Sequence, residues 1–145
     1  MPRISIDIED FIIQPHDLFH NRSVLLASGD FRAGTFNAMT IGWGAFGTMW
    51  SKPFAFVAVR HSRYTYQFME EYPSFTLSAF SVQYQEVLDY MGDHTGRDGD
   101  KISAAGLIPE ASISVSAPSF TGAELVIECR KMYASDLNPA HFLDE

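Results

Sequence analysis

Apolar and polar positions change rhythm repeatedly along the chain, and each change marks an element. In ISIDIEDFII (4–13) isoleucines alternate with polar residues, which predicts a short strand or sheet edge. PHDLFHN (15–21) reads as a turn or one helical turn. SVLLAS (23–28) reads as a short buried strand, closed by the polar, glycine-containing turn GDFRAGTFN (29–37). AMTIGWGAFG (38–47) is the next strand, and KPFAFVAVR (52–60) another, entered through Pro53. The rhythm turns helical in SRYTYQFMEEY (62–72). Tyr64, Phe68 and Tyr72 stand four apart, the helix begins at about Arg63, and Ser62 is its candidate N-cap. SFTLSAF (74–80) is a strand. QYQEVLDYMG (83–92) is a helix with Gly92 as its expected C-cap, and DGDKISAAG (98–106) a shorter helix closed by Gly106. AELVIECRKMYAS (123–135) is the strongest strand, with Leu125, Ile127 and Cys129 alternating against Val126, Glu128 and Arg130. NPAHFLDE (138–145) starts as a helix, with Asn138 as N-cap and Pro139 at its first position, and then stops.

Strands with short helices inserted favour a mainly β barrel or sandwich over a doubly wound parallel sheet. No G-x-G-x-x-G opens a helix after a strand, which speaks against a Rossmann domain. A length of 145 residues suits one domain with a substantial core. No apolar run is long enough to cross a bilayer, and the acidic, alternating start is not a signal peptide. One cysteine, Cys129, excludes an internal disulfide and fits a reducing, cytoplasmic setting. It also leaves no thiolate cluster for a metal.

The formal net charge of −8 disfavours a nucleic-acid groove. The charge is uneven, however. From Phe31 through Met69 there is no Asp or Glu, while Arg32, Lys52, Arg60 and Arg63 make that window +4. Such a window suits a small anion, though strands that simply contain few acids would also produce it.

Within it lies FNAMTIGWGAFGTMWSKP (36–53). Its first dozen residues include five that are Gly or Ala, where a core strand would prefer β-branched residues. Small residues of this kind suggest that something other than a side chain packs on the backbone. Just beyond, in VRHSRYTYQ (59–67), a strand ends and a helix begins. Free N–H groups, the Ser62 and Thr65 hydroxyls, and the Arg60 and Arg63 guanidinium groups suit a phosphate; an ordinary capped helix with two solvated arginines is the plainer reading. A flat apolar ligand could lie on the small-residue strand with its phosphate at SRYT, and a flavin mononucleotide has both parts.

Other constellations carry less. GDHTGRDGDK (92–101) lacks EF-hand spacing and the Walker G-K-[ST]. Its plain reading is a polar loop in which Asp98 and Lys101 cap and solvate the next helix, while Arg97 and Lys101 could instead reach a ligand. His16 and His20, four apart, have metal-ligand spacing, but no Glu follows the first. No serine stands in G-x-S-x-G. Cys129, in a strand, reads as packed rather than nucleophilic.

Taken together, SVLLASGDF, NAMTIGWGAFGTMWSKP, VRHSRYTYQF, TGRDGDK, the Gly106–Leu107 pair and AELVIECRKMY resemble, in order, the flavin reductase-like family with the FMN-binding split β-barrel, of the flavoredoxin type. The resemblance implies a homodimer with FMN at or near the subunit interface. Met39, Thr40, Ile41, Gly42 and Trp43 would lie along the isoalloxazine, with backbone N–H groups at its polar edge. Ser62, Arg63, Tyr64 and Thr65, with Arg60 nearby, would hold the phosphate, and Arg97 and Lys101 would approach the flavin or close the pocket. The activity implied is transfer of electrons from NADH or NADPH to flavin or a further acceptor, so no general acid or base is assigned. The alternative is an FMN-binding electron carrier or store without efficient NAD(P)H turnover. A third reading, outside this family, is a β-barrel interaction domain with no flavin. Family members usually continue past NPAHFLD into another strand. The single domain 1–145 is therefore expected to lack that strand and to expose a sheet edge.

Overall fold

The computed structural model describes residues 3–144. Its centre is a four-stranded antiparallel sheet of β1 (Val24–Asp30), β2 (Thr35–Ile41), β5 (Ser74–Ala79) and β8 (Leu125–Arg130), in the order β2-β1-β5-β8. Between β2 and β5 come a separate hairpin of β3 (Gly44–Met49) and β4 (Lys52–Val57), then helix α1 (Thr65–Glu71). Helices α2 (Gln85–Asp93) and α3 (Lys101–Ala104) follow β5. A two-residue pair, β6 (Pro109–Glu110) and β7 (Ser119–Phe120), precedes β8. The fold is mainly β with short helices, as the sequence pattern predicts.

Alternation along the strands gives the sheet two buried faces. Leu25, Ala27 and Ala38 meet Leu88 and Met91 of α2, Ile102 of α3 and Phe120 on one face. Val24, Leu26, Met39, Ile41, Phe75 and Leu77 meet Leu18 and Phe19 on the other, with Phe46, Ala55 and Val57 of the hairpin against them. β8 follows the predicted alternation: Leu125, Ile127 and Cys129 join the hairpin-side cluster, and Val126 the helix-side one.

Several expectations change. The early isoleucine alternation makes no strand. It stays extended around a 3₁₀ turn at Ile8–Asp10, and Ile4, Ile6, Ile8 and Ile12 are all exposed. No strand of the described residues pairs with this segment. PHDLFHN contributes a π-helical turn, Asp17–Arg22, which buries Leu18 and Phe19. The strand predicted over 38–47 breaks at Gly42–Trp43, and its halves belong to different sheets. Helix α1 starts at Thr65, not Arg63. Tyr64 occupies the N-cap position with no side-chain cap, so Ser62 does not cap it; residues 60–63 form a turn closed by Arg63 N–H donating to the Arg60 carbonyl. Gly92 lies inside α2, which runs on to Asp93. Asp100, not Asp98, caps α3 by accepting from Ser103 N–H. Gly106 closes that helix at φ 81°, as glycine permits. Asn138 does accept from Ala140 N–H, but it opens only the 3₁₀ turn Pro139–His141. No helix of the described residues is long and apolar enough to cross a membrane.

Candidate functional site

The break at Gly42–Trp43 creates the site. β2 pairs only with β1, so the opposite edge of Met39–Ile41 has backbone groups unpaired by any described strand. The chain then swings at Gly42, Trp43 emerges half-exposed at 53%, and β3 departs into the hairpin. Opposite stands the turn that follows β4. A cleft of about 260 Å³ opens between them. Its first wall is Met39, Thr40, Ile41, Gly42 and Trp43; its second is Ala58, Arg60, Ser62 and Arg63. The structure thus brings together eight of the twelve residues singled out from the sequence.

The walls differ chemically. Met39 and Ile41 are 4% exposed and contribute their side chains to the core, while Thr40 Oγ1 donates to the Leu88 carbonyl at 2.6 Å. What this wall offers a ligand is mostly backbone and the Trp43 indole. The second wall is cationic, and no acid lines the cleft. The Arg60 guanidinium lies 4.7 Å from the Trp43 ring centroid, a cation–π contact that joins the walls. Of the four cations in the acid-free window only Arg60 and Arg63 line it; Arg32 lies in the β1–β2 turn and Lys52 opens β4.

The remaining four residues stand behind the second wall. Arg97 Nη1 donates to the Ser62 carbonyl at 3.1 Å, and its guanidinium lies 5.2 Å from the Tyr64 ring centroid. Tyr64 packs edge-on against Phe68. Thr65 is buried, with Oγ1 accepting from Asn37 Nδ2, so its side chain is no part of the cleft lining. Lys101, expected to be solvated or near a ligand, is 5% exposed, with Nζ donating to the carbonyls of Met91 and His94 at 3.1 and 3.0 Å. Burial, and then the Arg63 charge, lower its pKa from 10.5 to about 8.

The small residues have a different cause from the one expected. A methyl group on Gly44 would collide with the Phe19 ring, and one on Gly47 would crowd the Phe54 ring. At these positions aromatic side chains, not a ligand, occupy the space. Only Gly42 borders the cleft, and there the nearest obstruction is the Phe19 carbonyl.

Sequence reasoning missed two features. A second cleft of about 330 Å³ lies across Gly42 and Trp43 from the first, lined by Pro15, His16, Phe19, His20 and residues 44–46. The paired histidines border it, and among the described residues no group of three or more His, Cys, Asp or Glu is placed to hold a metal ion. Asn37 was the other, and its signal was an amide in the middle of an apolar strand. Cys129 is packed: burial, with Glu128 nearby, pushes its thiol up to about 12.

A mainly β split barrel with a backbone-lined cleft and a cationic turn defines a class, and the sequence comparison agrees. The chain belongs to the flavin reductase-like domain family, whose model matches residues 18–142. Among solved structures it is similar to flavoredoxin of Desulfovibrio vulgaris (Miyazaki F), at 28% identity and a TM-score of 0.72, over 79% of this chain and 62% of that one. Flavoredoxin from Methanosarcina acetivorans shares the fold at 22% identity and a TM-score of 0.71, over 94% of this chain and 68% of that one. The FMN-binding protein from Thermus thermophilus with bound 1-cyclohex-2-enone does so at 16% and 0.70, over 94% and 71%. The chain spans about three-fifths of the Desulfovibrio protein's length. No curated protein matches it.

Proposed function

We propose that the cleft binds FMN and that the protein is a flavin reductase-like oxidoreductase. The observation that carries this reading is the meeting of two unlike walls, the Met39–Trp43 break and the Arg60–Arg63 turn. One suits a flat ring, offering backbone groups and an indole. The other suits a phosphate, offering two arginines and a serine hydroxyl with no competing acid. A bound flavin would supply the hydride and electron chemistry. The protein residues then have binding roles: Arg63 and Ser62 take the phosphate, Arg60 braces Trp43, and Arg97 holds the turn through the Ser62 carbonyl.

NADH or NADPH is the proposed reductant, and an added flavin or a further carrier the acceptor. Oxidation of the nicotinamide by purified protein, followed at its near-ultraviolet absorbance with FMN added, tests this; an FMN-binding protein that leaves both nicotinamides untouched is an electron carrier or store instead. A homodimer is part of the proposal. Trp43, Met49, Trp50, Phe54 and Phe56 all stand exposed around the hairpin, whereas Phe46 is half-buried against Phe11 and Phe19. Obligate interfaces are apolar. Light scattering should report a dimer, and a monomer at micromolar concentration would contradict it.

A further inference from the structure

The turn at 61–65 is fastened from behind at two points. Asn37 of β2, 4% exposed, donates from Nδ2 to Thr65 Oγ1 at 2.9 Å, and Thr65 is 1% exposed. Arg97 ties the same turn through the Ser62 carbonyl and the Tyr64 ring. Gly96, next to Arg97, joins the two ties: a methyl group there would run into both Asn37 Oδ1 and the Tyr64 ring. Asn37 is followed in β2 by Ala38 and Met39, both core residues. An amide buried at such a position is costly unless it is hydrogen-bonded. Thr65 is its hydrogen-bonding partner, and the bond crosses from the strand that forms one wall of the cleft to the helix that follows the other.

We infer that Asn37 is a positioning residue for the anion-binding turn, acting through Thr65 to set Ser62 and Arg63 against the Met39–Trp43 wall. The inference rests on the flavin reading of the cleft and adds to it a residue that does not line the cleft. Its consequence is selective. Ligands with a phosphate feel the loss of Asn37; ligands with the ring alone feel it far less.

The test titrates FMN and riboflavin, by flavin fluorescence, into the original protein and into Asn37→Leu, Thr65→Val, their double variant and Gly96→Ala. Each single variant should weaken FMN about tenfold, the order of one lost hydrogen bond, and riboflavin by no more than about twofold. The double variant should bind FMN no more weakly than the weaker single, because both substitutions break one bond. Gly96→Ala disturbs the same contacts without burying or removing a polar group. It should show the same preference, and it decides the matter if Asn37→Leu does not fold. Equal losses for FMN and riboflavin, or additive effects in the double variant, would overturn the inference while leaving the cleft's reading intact. Failure of the original protein to bind FMN would overturn both.

Discussion

Raising the pH from about 7.5 to about 10 should stabilise this protein relative to its Lys101→Met variant. Lys101 is buried at the C-terminal end of α2, bonded to two carbonyls of that end, with the Arg63 charge nearby. The carbonyls favour the ammonium, but desolvation and Arg63 oppose it, and the folded pKa drops from 10.5 to about 8. The sign follows from proton counting. Below about 8 the amine is protonated in both states, so its contribution is constant. Between the folded and unfolded values the native amine is neutral while the unfolded one keeps its proton, so the unfolded state binds more protons and stability rises with pH. The full shift corresponds to about 3 kcal/mol, of which about 2 kcal/mol falls between pH 7.5 and 10. Other lysines and tyrosines titrate in the same range, so the quantity to read is the difference between the two proteins. Urea unfolding at both pH values supplies it, with the slopes compared to confirm that the same surface unfolds. Methionine leaves the two carbonyls without Lys101 and can cost stability at any pH; what it removes is the pH dependence. If the two stability curves run parallel, Lys101 is not a buried, charge-destabilised amine.

Arg63→Ala should weaken FMN by about tenfold to a hundredfold, the value of one charge-assisted contact of about 1.5–3 kcal/mol, and riboflavin far less; an equal loss for both would mean that Arg63 supports the fold and not a phosphate. The two-residue turn of the β3–β4 hairpin has both central residues, Trp50 and Ser51, at positive φ (52° and 59°). Ser51→Gly should therefore relieve about 1 kcal/mol of left-handed strain and raise the melting temperature by roughly 2–4 °C, and an unchanged or lowered melting temperature would contradict that.

What the sequence made legible was local. β1, β5 and β8 could be read from short apolar or alternating runs, and Gly106 and Asn138 from their cap chemistry. The residues of the cleft were legible too, as two motifs about twenty residues apart. What stayed hidden was long-range. Nothing in AMTIGWGAFG says that Phe19 and Phe54 fill the space beside Gly44 and Gly47. Nothing in ISIDIEDFII says that no strand of the described residues pairs with it. The onset of α1 at Thr65 depends on the Arg60–Arg63 turn and on a bond from Asn37, twenty-eight positions earlier in the chain. The hydroxyl and amine expected at the ligand, those of Thr65 and Lys101, have their partners behind it.

The central claim is that this cleft takes FMN, and the most direct measurement is an equilibrium titration of the purified protein with FMN, followed by its visible absorption and fluorescence. Uptake of one FMN per chain, with a shifted flavin spectrum, is the predicted result. A protein that leaves the spectrum of added FMN unchanged would contradict the account.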